Sequence, residues 1–235
     1  MDNLASRIIK YYSDLDFTDT LPNKISLLHP FKGNEAIMQI VADFYTKFYN
    51  DNNKRHLILG INPGRLGAGT TGIPFTDSKR LRSECGLNYT GLETHEPSSV
   101  FMYEMINAFG GAKSFYSKFY INSVCPLGFT ITNNKGKDVN YNYYDVPALQ
   151  KIALPFIIWN IKTQIALGCN TDVCYCLGTG KNYKFLSALN EVEGFFDKIV
   201  PLEHPRYIMQ YKSKTMQSYI DAYLQMLQCC NAAIL

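Results

Sequence analysis

Four near-continuous apolar runs, separated by helical patterns, constrain this chain more than any other feature. "HLILGIN" (56–62), "KFYINSVCPL" (118–127), "DVCYCLG" (172–178) and "DKIVPLEH" (197–204) are rich in β-branched and aromatic residues and do not alternate with polar ones. Continuous apolarity is the mark of strands covered on both faces. The intervening segments carry a different period. Residues 34–49 put Ile37, Ile40, Val41, Phe44 and Phe48 on one stripe behind the capping residue Asn34. Residues 99–109, 146–167 and 181–193 read as helices too, the last after a turn at Gly180. A C-terminal stripe of Met216, Tyr219, Ile220, Tyr223, Leu224 and Leu227 predicts a final helix capped by Ser213. Strands alternating with helices imply an α/β fold, with a parallel sheet and helices on both sides.

In such sheets the active crevice lies at the carboxyl ends of the strands. Three of these ends carry polar groups. The first presents Asn62 and a loop threaded with Gly64, Gly67, Gly69 and Gly72, closing on Pro74–Phe75. The second presents Asn122 and Ser123. The fourth presents His204, Arg206, Gln210 and Lys212. Each alone has a plain structural reading: an asparagine before a proline forms turns, and a serine is readily a buried hydroxyl. Together they mark one edge of one sheet.

The rest of the chain narrows the class. It has 235 residues, 46% apolar and 18% charged, the composition of one globular domain spanning residues 1–235, with no repeat or linker. A net charge of +3 permits nucleic-acid binding without arguing for it. No apolar run reaches membrane-spanning length. "MDNLASRIIKYYSDL" lacks the apolar centre of a signal peptide, so a cytoplasmic protein is expected. Seven cysteines are then expected as reduced thiols. Cys169, Cys174 and Cys176 match no standard metal spacing, and Cys229–Cys230 reads as an inert helix-end pair. Seventeen Tyr and 14 Phe exceed ordinary packing needs, which leaves rings for flat ligands. Asp77 in "TDSKRL" reads as a helix cap rather than a base. "GTGKNYK" is too short for a phosphate-binding P-loop and reads as a strand-to-helix turn.

"GINPGRLGAGTTGIPF" resembles the first motif of the uracil-DNA glycosylase superfamily in its single-strand-selective, SMUG-type branch. "INSVCPL" is similar to that branch's middle segment, and "LEHPRY" to its second motif, which begins His-Pro. The resemblance runs over residues 56 to 212. It implies a three-layer α/β/α fold with a central four-stranded parallel sheet. It also implies hydrolysis of the N-glycosidic bond of uracil, and of 5-substituted uracils such as 5-hydroxymethyluracil, in single- and double-stranded DNA. The enzyme would be monomeric, with no metal and no redox cofactor. By the same resemblance Asn62 positions the attacking water and His204 stabilises the departing base at O2. Phe75 stacks on the flipped base, while Gly60 and Ile61 line its pocket with backbone amides. From the residues themselves, Lys212 and Ser213 at the start of the last helix suit phosphates, and Arg206, close behind His204, is expected to face DNA as the wedge. Two departures suggest a distinct bacterial-type branch. The base-reading asparagine of the middle segment falls on Ser123, one place after Asn122. The usual His-Pro-Ser-Pro-Arg becomes His-Pro-Arg-Tyr-Ile. Adjacent strand residues face opposite ways, so Asn122 could replace Ser123 as the reader only through a bulge or register shift.

Overall fold

The computed structural model describes residues 2–229. Seven strands are labelled here in chain order: β1 (Ile25–Leu28), β2 (Arg55–Gly60), β3 (Phe119–Ser123), β4 (Gly128–Thr132), β5 (Asp138–Tyr141), β6 (Cys169–Leu177) and β7 (Lys198–Leu202). β3, β2, β6 and β7 lie side by side, all parallel, in that order. Every residue of β2 and β3 is buried, which is why these runs are continuously apolar. Helices flank this sheet, giving the three-layer α/β/α arrangement expected from the sequence.

Helix boundaries follow local chemistry. Asn34 accepts the amide of Ile37 and caps the helix Glu35–Tyr49. Proline occupies the first turn of the helices Pro97–Ala108, Pro147–Ala166 and Pro205–Tyr211, where its missing N–H costs nothing. Gly180 precedes the helix Lys181–Glu193, so "GTGKNYK" is the expected turn. Asn182 of that turn is buried and donates to the Leu177 carbonyl. The amphipathic N-terminal segment is itself a helix, Leu4–Asp14, closed by a capping box between Asn3 and Ser6.

One expectation is corrected, and one element of the fold was not anticipated. The last helix begins at Met216, not beside Ser213, because residues Ser213–Thr215 form a separate 3-10 turn. A second sheet is also present: β1, β4 and β5 pair antiparallel, with β4 in the middle. β4 and β5 form a hairpin whose turn is held by the Asn133 side chain, which accepts the amides of Lys135 and Lys137. The aromatic surplus is mostly internal. Tyr45 and Tyr49 meet Tyr120 edge-on, and Tyr103 hydrogen-bonds Thr76, Cys85 and Tyr116. Cys169, Cys174 and Cys176 are buried free thiols, whereas Cys230 lies outside the described residues. Among the described residues no helix is long and apolar enough to cross a membrane.

Candidate active site

A cavity of about 270 Å³ opens at the carboxyl ends of β2, β3 and β7. Its wall includes Ile61, Asn62, Phe75, Ser123, His204 and Arg206, so three separate strand ends converge as the α/β rule requires.

Asn62 is held by the second sheet. Its Oδ1 accepts the Tyr143 amide at 3.2 Å, and its Nδ2 donates to the carbonyls of Tyr141 at 3.2 Å and Pro63 at 3.4 Å. These bonds orient the side-chain amide unambiguously. A carbonyl oxygen has two lone pairs, so Oδ1 retains one for a cavity water.

Phe75 sits at φ +53°, a conformation that bulky residues seldom adopt. Its ring passes directly beneath Gly60, where a Cβ would stand 2.9 Å from the ring. Gly60 is therefore required to admit the ring, and it backs the cavity rather than lining it. The Phe75 and His204 rings lie 5.9 Å apart, tilted at 51°, so an apolar ring and a polar one share the same part of the cavity wall.

His204 is the N-cap of the helix Pro205–Tyr211. Its Nδ1 accepts the Arg206 amide at 3.1 Å. In the neutral ring the proton must then reside on Nε2, making that atom a donor. Loss of hydration lowers its pKa to about 4, with the nearby positive charge of Arg206 adding to the effect. The ring is thus a neutral donor at physiological pH.

Ser123 and Asn122 diverge as strand geometry dictates. Ser123 pairs with Gly60 in unbroken parallel register and lines the cavity. Asn122 points the other way, donating to the Tyr120 hydroxyl at 2.9 Å and accepting the Ser123 amide at 2.8 Å. The β2–β3 register carries no shift, so Asn122 is not brought to the cavity as a base reader. Lys212 and Ser213 are exposed and lie off the cavity wall. Asp77 is the expected helix cap: its carboxylate accepts the amides of Arg80 and Glu96. Glu203 accepts from Thr179 and does not pair with His204.

Several wall residues were not anticipated from the sequence: Glu96, Ser98, Asn140, Asn142, Tyr207 and Tyr211. The two asparagines come from β5 and the segment after it. Their signal was the "GFTITNNKGKDVNY" pattern, two short β-rich runs about an Asn- and Gly-containing turn. Tyr207 and Tyr211 are one helical turn apart, exposed, with ring centroids 5.4 Å apart.

A sequence model of the Uracil DNA glycosylase superfamily matches residues 46–228, the span that contains all of these catalytic candidates. The chain belongs to that superfamily. It is an N-glycosyl hydrolase acting on DNA, of the repair class. The crystal structure of wild-type SMUG2 from Pedobacter heparinus superposes with a TM-score of 0.96 at 56% identity, covering 99% of this chain and 100% of the other. This DNA glycosylase is accordingly SMUG2-like, and that relative is bacterial. No curated protein matches the chain at a significant level.

Proposed function

We propose that this glycosylase excises uracil, and 5-hydroxymethyluracil, from both single- and double-stranded DNA as a monomer. The observation that carries the reading is the convergence, on one base-sized cavity, of a neutral imidazole donor, an anchored amide and a Phe75 platform. Uracil departs as an anion, so a preorganised N–H at O2 is worth far more in the transition state than in the ground state. His204 supplies that donor, Asn62 holds the water and Phe75 stacks on the base. The Ile61 backbone and Ser123 complete the base pocket, with Gly60 behind the Phe75 ring. A neutral donor suits the role because it need not give up hydration on substrate entry. The base must leave the stack first, at a cost of a few kcal/mol that is smallest in single strands and mismatches.

The test is release of free base from oligonucleotides carrying uracil, 5-hydroxymethyluracil or xanthine, single-stranded and paired. Failure to release uracil from any of them would sink the reading.

Ser123 is proposed to read the base edge through one hydroxyl. A single neutral hydrogen bond contributes about 1 kcal/mol, so Ser123→Ala is expected to slow uracil excision by only about fivefold. Ser123→Asn, which restores a paired donor and acceptor, is expected to keep or raise the rate. Asn122→Ala should instead lower thermal stability and leave the preference for uracil over cytosine intact. Loss of that preference confined to Asn122→Ala would mean that the base is read from the opposite face.

Arg206, at the cavity mouth, is proposed to fill the gap left by the flipped base, and Lys212 and Ser213 to contact phosphates. Lys212→Ala is expected to weaken DNA binding equally across sequences and to reduce the salt slope by about one. An unchanged slope would place Lys212 away from the backbone.

A further inference from the structure

We propose that Glu96 is a further catalytic residue of this cavity: the acceptor of the proton lost by the attacking water. The inference rests on the glycosylase reading above and adds a step to it. As the C1′–N1 bond breaks, its electron pair leaves with the base, and a lone pair of the water oxygen forms the new bond to C1′. One water proton must then go to an acceptor. The Asn62 amide can orient the water but cannot take a proton. His204 cannot take it either, because Nδ1 is already occupied by the Arg206 amide and Nε2 carries the hydrogen aimed at the base. Among the described residues of the wall, no carboxylate other than Glu96 and no other imidazole is present. Glu96 alone is left.

The geometry around Glu96 fits a group kept available for chemistry. It precedes Pro97 at the start of the helix Pro97–Ala108, and its own amide donates to Asp77 Oδ2 at 2.8 Å, which fixes its backbone. The side chain lines the cavity, yet its carboxylate accepts no hydrogen bond from any described residue. It lies against Gly67 so closely that a Cβ there would overlap it. The glycine loop is thus shaped around this carboxylate on one side and, through Gly64, approaches the Arg206 guanidinium on the other. Two charged groups face Glu96: Arg206 from the helix Pro205–Tyr211, and Asp77 from the cap of the helix Ser78–Ser83. Asp77 is itself bonded to Arg80 at 3.3 Å and lies 3.9 Å from His95. Burial is the largest influence and raises the carboxyl pKa, Arg206 opposes it, and Asp77 adds to it, leaving Glu96 at about 7. A base poised near the working pH is the most effective kind.

The test is single-turnover uracil excision by the full chain between pH 5 and 9, with thermal melts of each variant. Wild type should lose rate about tenfold per pH unit below a midpoint near 7, as expected for one required deprotonated group. Glu96→Gln should lower the rate at pH 8 by about a hundredfold, on the scale of a lost general base, and abolish the pH dependence. Glu96→Asp, reaching less far, should retain a pH dependence with a several-fold lower rate. Three results would overturn the proposal. One is a Glu96→Gln protein with wild-type rates throughout, which would assign the proton to the departing base or to bulk water. Another is a slowed Glu96→Gln protein with the wild-type midpoint, which would make Glu96 structural. The third is a folded Glu96→Asp protein indistinguishable from wild type. Wild type releasing no uracil at any pH would instead be a failure of the glycosylase reading itself.

Discussion

Replacing His204 with alanine is expected to lower single-turnover uracil excision by at least about a hundredfold, the scale on which one preorganised oxyanion donor acts. That factor corresponds to about 2.7 kcal/mol of transition-state stabilisation. The ring does two jobs, and they separate in experiment. Through Nδ1 it caps the helix Pro205–Tyr211, so the alanine protein should also lose about 1 kcal/mol of stability, the usual cost of a lost cap. Through Nε2 it is proposed to serve the departing base. His204→Asn tests the division, since an asparagine at the cap position keeps the amide bond without the imidazole donor. It should recover the melting temperature and not the rate. A folded alanine protein with near-wild-type excision would remove His204 from the chemistry.

The protonation state is a separate part of the same expectation. With its pKa lowered to about 4, the imidazole should titrate well below the ordinary histidine value when followed by NMR in the free protein. The sign for stability follows. Between pH 6.5 and 4 the unfolded chain binds a proton at this site that the folded chain refuses, so the site weakens the fold as pH falls through that window. His204→Ala should remove this part of the acid sensitivity. A ring titrating near 6.5 would be substantially charged in mildly acidic conditions, and the neutral-donor account would then fail there.

Much of this site was legible because the polar residues stand at the ends of buried strands. A run such as "HLILGIN" has one interpretation as a doubly covered strand, and its last residue must emerge at the active edge. The opposite facing of Ser123 and Asn122 followed from the two-residue repeat alone. What escaped was everything contributed by the second sheet. β1, β4 and β5 are short, partly exposed and interrupted by polar residues, so they lack the continuous apolarity that identified the others. Glu96 escaped for another reason. Its importance depends on which glycine it rests against and on the charge of Arg206, 110 positions away, and neither is a property of local sequence. The same holds for the partners of Asn62, which lie about 80 residues downstream.

Those partners decide what substitution at Asn62 should do. Asn62→Ala removes the proposed acceptor for the attacking water and takes its side chain away from the Tyr143 amide and the Tyr141 carbonyl. Excision is expected to fall about a hundredfold, as misplacing a reactant costs, with stability lower by about 1–3 kcal/mol and DNA binding little changed. Aspartate at this position would offer a true base, which by itself suggests a gain. The anchoring argues the reverse. One carboxylate oxygen would keep the Tyr143 amide, but the other would replace Nδ2 and face the carbonyls of Tyr141 and Pro63. Three oxygens cannot share that space without a proton between them, so the carboxyl should be held protonated above the usual aspartate range. Asn62→Asp is therefore expected to be slow at pH 6 and to recover excision as pH rises. Its stability should fall over the same interval, because the folded chain there holds a proton that the unfolded chain has released. Opposite slopes of rate and melting temperature against pH are the signature to look for. If instead Asn62→Ala and Asn62→Asp both melt early yet excise uracil at the wild-type rate when folded, Asn62 is only the tie between the two sheets, and the water must be held by another group.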